Sequence, residues 1–493
     1  MSGFPGRAGR CQDEDVWDIL VVGGGATGLA CAWDAATRGY KTLLVERGDL
    51  GSGTSTSSTK LIHGGVRYLR QGHLALVKEA LHERTWFLNA APDLVHRLSL
   101  ILPCKRHLEK AYYRMGLGLY DRFAGLDPKD RTRSVSPAEI STLAPGLPPT
   151  WKSGGLVYMD GQFDDARMLM RLAFCIASSG GSLSTYTDLT GFGRDRDGLR
   201  TVTLRDRITG ETSSLRANVV INATGPFTDE LRRLEVPGAQ PQVAVSRGIH
   251  LVLDPSLLGG ETAVILPHTE DGRVLFAIPW RGKILYGTTD TSMPGPEQDP
   301  IAGADEVAYL LQHSEQIFGR SVSAEMIHGL FAGLRPLAAA PGRQATASIS
   351  RDARVEVSTQ GLVSIYGGKW TTCRSMAERA VDQALAVGKL PFRPARTHEL
   401  KLAGPLPEVP DRADRLTRDQ VAWFVQEERA KTLDDVLTRR TGLSLLDAKA
   451  AVAIAPVCAH WMADFLDWSD HETQRQVTAY QERMRRQWEP LNR

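Results

Sequence analysis

Three glycines, Gly23, Gly25 and Gly28, follow the apolar run Val16–Val22 and precede an alanine-rich stretch, with Glu46 standing 23 residues after Gly23. Glycines at this spacing permit a tight turn and let a pyrophosphate approach the N-terminus of the next helix, where unpaired backbone N–H groups point outward. An acid at the position of Glu46 is placed to accept hydrogen bonds from an adenosine ribose, and its charge disfavours a 2′-phosphate. The chemistry is dinucleotide binding, and the motif leaves FAD and NAD both open. Seven Ser or Thr residues then lie between Ser52 and Thr59, followed by Lys60, His63, Gly64, Gly65 and Arg67. Hydroxyls and small residues let backbone approach a flat or anionic ligand, and the cations suit an anion; a flexible linker is the alternative reading.

Further along, VVINATGP ends a strand-like run at Thr224 and Gly225, and charged residues sit in glycine-containing patches: Arg335 in GLRPL, Arg351 in SISRDAR and Lys369 in IYGGKWTT. Arg335 lies in the apolar context GLFAGLRPLAAAP, so its charge requires a carboxylate or a ligand anion. Gly368 leads into a helix-like stretch from Thr371, whose N-terminus would favour negative charge nearby. His250, in SRGIHLVL, has a suitable reference pKa for a proton acceptor, and Thr288 in GTTD is a candidate hydrogen-bonding group.

The elements that must position these groups follow from pattern. The run 16–22, the helix-like 26–38 and the strand-like 41–45 form a βαβ unit, which implies a parallel sheet with helices on its faces. Two more glycine-terminated strands, 217–223 and 362–365, would join that sheet from far along the chain. Residues 243–345 alternate strand-like runs with polar turns, which predicts an antiparallel-rich second domain. The Pro-rich LAGPLPEVPD reads as a linker, and 417–490, poor in glycine and apolar at helical spacing, as a helical domain. The expected division is a discontinuous Rossmann-like α/β domain over 15–95, 155–232 and 346–390. An α+β antiparallel-sheet substrate domain spans 96–154 and 233–345. A linker at 391–411 and a C-terminal helical domain at 412–493 complete the chain.

Composition narrows the classes. The 493 residues carry 59 Lys plus Arg against 57 Asp plus Glu, a net charge of +2, so no global field argues for a nucleic acid partner. Six scattered cysteines without a CxxC pair point to no metal cage and to a reduced, intracellular chain. No run of about 18 apolar residues is present, from which a transmembrane helix is not expected. The first 15 or so residues read as a disordered leader rather than a secretory signal.

Together these patches resemble the FAD-dependent glycerol-3-phosphate dehydrogenase family, with a glutathione-reductase-like cofactor domain. The matching segments begin with VVGGGATGLACAWDAATRGYKTLLVERGDLGSGTSTSSTKLIHGGVRYL and continue through DDAR, NATGP, GTTD, GLRPL, ISRD and YGGKWTT to TLDDVLTRRTGL, so the likeness runs from about residue 15 to 490. The resemblance implies noncovalent FAD held by Gly23, Gly25, Ala26, Thr27, Gly28, Glu46, Arg47, Thr54, Ser55, Ser58, Thr59, Lys60, His63, Gly64, Gly65, Thr224, Gly225, Gly368, Lys369, Trp370 and Thr371. It implies oxidation of sn-glycerol 3-phosphate to dihydroxyacetone phosphate by hydride transfer from C2 to FAD N5, with electrons passed to a quinone at a membrane surface.

By the same likeness Arg67, Thr288, Arg335, Arg351 and Lys369 contact substrate, and His250 and Arg335 are the catalytic candidates. A phosphate monoester carries close to two negative charges, which such a cluster of cations would receive. The chain departs from the family at Arg247-Gly248-Ile249, where Lys-Gly-Ser is usual, and at Trp33, where a small residue is common. A related oxidase or dehydrogenase of an amine or 2-hydroxy acid, a glycerol-3-phosphate oxidase using O2, and a non-catalytic flavin-binding module are the alternatives. The expected setting is cytoplasmic, peripheral to the inner face of the cytoplasmic membrane, with a homodimer possible. Trp461, Met462, Phe465, Leu466 and Trp468, with Arg483, Arg485 and Arg486, are the residues expected to face lipid.

Overall fold

Val16–Val22 is buried on both faces of a sheet, as a parallel strand must be. Ile19 and Val21 point into a core made with helices Ala26–Thr37, Asp165–Ser178 and Cys373–Val387; Leu20 and Val22 point to the opposite core with Leu189, Val202, Leu204 and Leu231. The computed structural model describes residues 16–491 apart from Arg67, 69–71, 126–129, 197, 268, 270–271 and 339–351. The sequence-based leader and the candidate ligands Arg67 and Arg351 therefore lie outside the described residues.

Among the described residues there are two sheets. The first runs Arg354–Val357, Leu362–Tyr366, Thr212–Asn222, Val16–Val22, Thr42–Val45, Ser182–Ser184, with parallel pairing at its centre. The three glycine-terminated strands expected to share one sheet thus lie side by side. The second sheet is mostly antiparallel, built around the long pair Val243–Leu253 and Ile327–Ala338. One parallel pairing interrupts it, Ala263–Leu266 on Val95–Pro103.

Two details differ from the sequence-based division. Gly155–Phe163 pairs antiparallel with Val95–Pro103, and Leu61–Ile62 pairs with it on the other side, so both belong to the second sheet. The chain re-enters the first layer only at Asp165–Ser178; local pattern cannot distinguish these sheets, because both bury the same residue types. The 391–411 stretch is also more than a spacer: Leu402 and Thr397 are buried, and the Leu402 N–H donates to the Ala90 carbonyl.

The tail folds as helices Arg418–Gln426, Ala448–Leu466 and Asp470–Trp488 around their own core. Met462 is fully buried there, Trp461, Phe465, Leu466 and Trp468 pack against it, and Arg483 pairs with Asp299 and Asp434. Of the residues expected to face lipid, Met462 thus belongs to the domain core, Trp461, Phe465, Leu466 and Trp468 are half-buried at its edge, and Arg485 and Arg486 are exposed. Ala448–Leu466, at 19 residues and mean hydropathy 1.2, is long and apolar enough to cross a membrane, contrary to the reading from unbroken apolar runs. Its Ala451, Ala455, Cys458, Ala459 and Met462 form the domain core.

Candidate functional site

The turn between the first strand and first helix is set by contact. A Cβ on Gly28 would lie 1.8 Å from the Gly23 carbonyl oxygen, and one on Gly23, whose φ is +114°, would lie 2.5 Å from that of Ala223. Only glycine fits both places. The helix begins at Ala26 behind Gly25 without a side-chain cap, and the Ala26 N–H donates to Ser55 Oγ at 2.9 Å. This leaves the helix N-terminus open to an anion.

A cavity of about 800 Å³ extends from this turn, lined by Gly23, Gly25, Ala26, Thr27, Glu46 and Arg47, by Thr54 and Ser55, by Thr224 and Gly225, and by Gly368, Lys369 and Trp370. Glu46 accepts from the N–H groups of Gly24 (2.6 Å) and Gly48 (2.8 Å), while burial pushes its carboxyl up against those bonds. Two of its lone-pair positions remain for a ribose. The Arg47 guanidinium carbon lies over the ring of Phe227, 3.7 Å from its centre. The size, the uncapped helix end and the glycine contacts fit an FAD.

Within the Ser/Thr stretch the structure separates residues that the sequence grouped. Lys60 Nζ pairs with Asp165 at 2.5 Å and donates to the Thr56 carbonyl, and Ser58 Oγ donates to the same Asp165. Neither Ser58 nor Lys60 lines the larger cavity, because a buried ammonium requires a carboxylate and Asp165 holds both. Thr59, His63 and Gly65 instead line a second cavity of about 310 Å³. Gly64 lies between, its N–H donating to Tyr120 Oη at 2.9 Å, and the Thr371 hydroxyl pins His63 through that residue's own N–H.

Two cations stand on the walls of these cavities. Lys369 lines the larger one and lies 3.8 Å over the ring of Tyr68, which lines the smaller. Arg335 lines the smaller one beside Thr288, to whose hydroxyl it donates at 2.6 Å, and it reaches Asp290 at 3.5 Å. Its guanidinium lies across Gly248, where a Cβ would come within 2.0 Å of it. His250 is buried one step back: it lines neither cavity, stacks on Phe331 at 5.0 Å, and meets Thr59 Oγ1 through Nε2 at 3.0 Å. Burial, Arg335 and Lys60 together hold its pKa down to about 3, so its ring is neutral near neutral pH.

Two parts of the site carried no local signal. Gly248 and Gly287 make room for Arg335 and His250, and Asp160 with Tyr120 and Arg84 braces the His63–Gly64 turn. The helical domain supplies cavity wall through Thr432, Asp434, Arg439 and Arg483; TLDDVLTRRTGL was the one sequence pointer to it.

Comparison with known proteins gives a consistent result. Residues 18–383 match the family model for FAD dependent oxidoreductases, and 300–473 that for the C-terminal domain of alpha-glycerophosphate oxidase. The chain is 36% identical over 533 residues to the mitochondrial glycerol-3-phosphate dehydrogenase of Macaca fascicularis, covering 94% of this chain and 73% of the relative. The glycerol-3-phosphate dehydrogenase of Bacillus halodurans, solved in complex with FAD, superposes with a TM-score of 0.78 at 26% identity over 97% of this chain and 96% of that one. L-alpha-glycerophosphate oxidase from Mycoplasma pneumoniae shares the fold, with a TM-score of 0.63 at 19% identity over 80% of this chain and 100% of that one.

Proposed function

The chain belongs to the FAD-dependent glycerol-3-phosphate dehydrogenase family, and from that premise we propose that it oxidises sn-glycerol 3-phosphate to dihydroxyacetone phosphate and passes the electrons to a quinone at a membrane surface. The observation that carries the substrate is the pair of cations on the cavity walls, Lys369 on the larger cavity and over Tyr68 of the smaller, and Arg335 on the smaller. Two fixed cations suit a phosphate dianion, whereas a single carboxylate needs one arginine fork. Lys369 takes the phosphate. Arg335, aimed by Thr288 and partly balanced by Asp290, holds the oxygen on the reacting carbon.

Bound FAD supplies the hydride acceptor for C2. The hydroxyl proton passes to Thr59 Oγ1 as that hydroxyl gives its own proton to His250 Nε2. A neutral imidazole can accept it, and a substrate dianion offsets the positive charges of Arg335 and Lys60 that otherwise resist the imidazolium. Because Thr59 stands between, His250 acts through it rather than on the substrate.

The acceptor reading is supported by the smaller cavity, whose walls include Leu61, Leu100, Ile265 and Phe276 and whose outer side is helix His107–Ala124. That helix exposes Leu108 (85%), Met115 (73%) and Tyr112 (52%) beside the exposed Arg106, Arg114 and Arg122. An apolar strip flanked by arginines suits an anionic lipid surface, from which an apolar acceptor can enter. Co-sedimentation of the Met115→Glu variant with anionic vesicles tests this: a wild type that stays in the supernatant at low salt removes the membrane arm.

The substrate is tested by anaerobic flavin bleaching with sn-glycerol 3-phosphate, using glycerol, lactate and glycine as controls. Bleaching by the phosphoester alone, greatly weakened in Lys369→Ala, is expected. Bleaching by glycine or lactate would sink the phosphate reading. Mixing the reduced enzyme with quinone and then with oxygen reads out the acceptor.

A further inference from the structure

The loop that carries Glu46 is held by the far end of the chain. Asp49, 1% exposed, accepts from Arg439 Nε at 2.6 Å and from both terminal nitrogens of Arg440 at 2.7 and 2.8 Å. Those arginines are adjacent in sequence, and a turn of π-helix over Asp435–Arg440 brings both onto one carboxylate. Arg439 also donates to Asp434 and Asp435, and Arg483 joins Asp434 (2.9 Å) to Asp299 (3.1 Å). Burial pushes the Asp49 carboxyl up, but Arg440 and Arg439 outweigh it and hold it below the usual range.

This knot faces the cofactor cavity. Asp49, Asp434, Arg439 and Arg483 all line it, as does Tyr186, whose hydroxyl donates to Asp435 at 2.8 Å. A second anchor, the bidentate pair of Arg167 with Glu428 at 2.7 and 2.8 Å, ties the same helical domain to helix Asp165–Ser178. Buried ion pairs stabilise a fold weakly against apolar side chains of equal volume, but they demand one relative placement of their partners. Here the placement demanded is that of the helical domain against the Glu46–Asp49 loop.

We propose that the C-terminal helical domain is the clamp that retains the cofactor, with Asp49, Arg439 and Arg440 as positioning residues for the loop that bears Glu46. The domain closes one wall of the FAD cavity and prevents the loop from swinging away. The inference rests on FAD being the cofactor and is independent of which substrate or acceptor the enzyme uses.

The test uses the full-length holoenzyme and two readouts, flavin fluorescence for release and far-UV circular dichroism for unfolding. Asp49→Asn keeps the volume and removes the charge; its FAD Kd should rise at least tenfold. Its flavin should be released at a temperature clearly below that at which helix is lost. Arg483→Gln, at the partly exposed rim, should weaken FAD about threefold with its unfolding unchanged, and it decides the matter on the same criteria where Asp49→Asn does not fold. Arg439→Lys, which keeps the charge but not the fork, should fall between the two. Unchanged FAD affinity, or release and unfolding that shift together, would overturn the proposal.

Discussion

In the cofactor cradle glycine brings backbone against backbone, Gly28 on Gly23 and Gly23 on Ala223, all within or beside one strand–turn–helix unit. At the reaction site glycine brings side chains against a sheet: Gly248 seats the guanidinium of Arg335, and Gly287 the ring of His250. The first arrangement makes a shape that any dinucleotide of the right size can use. The second fixes the direction of Arg335 and His250, the two groups proposed to act on the substrate. Affinity for the cofactor and competence toward substrate are therefore separable in this molecule.

The sharpest test of that separation is Arg335→Ala. It should lower kcat/KM by about a thousandfold, the scale of one lost charge-stabilising donor, while the purified protein keeps its flavin. A colourless Arg335→Ala protein would break the distinction. Gly28→Val is the converse, since its side chain collides with a carbonyl oxygen that cannot move without the turn. FAD affinity should fall about 100-fold by equilibrium dialysis. Gly248→Ala should keep FAD and lower kcat about 30-fold, because the displaced guanidinium no longer points at the reacting oxygen.

The smallest effect is on stability. The folded state keeps His250 unprotonated down to about pH 3, while the unfolded chain takes up that proton below 6.5. Its contribution is thus unchanged above pH 6.5 and is lost as pH falls below it. Between pH 7.5 and 5 the wild type should lose about 2 kcal/mol more than His250→Asn, measured by urea unfolding.

The two regions also differ in how far the chain announces them. The cradle could be read because its determinants are contiguous: strand, three glycines, helix, strand and acid follow one another within 31 residues, from Val16 to Glu46. The cations of the reaction site could be found by type, since Arg335 in an apolar context requires a partner. Gly248 could not, because the atom it accommodates belongs to a residue 87 positions later on a neighbouring strand. Lys60 shows the opposite case: in a hydroxyl-rich loop it reads as a ligand cation, and only the fold brings Asp165 against it. The tryptophans and phenylalanine of the tail have a spacing equally compatible with a lipid face and a helical core, and in the fold they sit half-buried against that core.

The order of strands in the first sheet bears on how the protein is made. The strand Val16–Val22 leaves the ribosome well before Thr212–Asn222, its parallel neighbour, and Leu362–Tyr366, the next one over, which come nearly 200 and 350 residues later. At about 5–20 residues per second the nascent chain carries an unsealed apolar strand for roughly 20 to 70 s before its sheet can close. Loop closure over such distances is slow, and an open strand edge meanwhile invites pairing with other chains. Synthesis of this enzyme should accordingly be more sensitive to chaperone supply and growth temperature than the finished molecule is to heat.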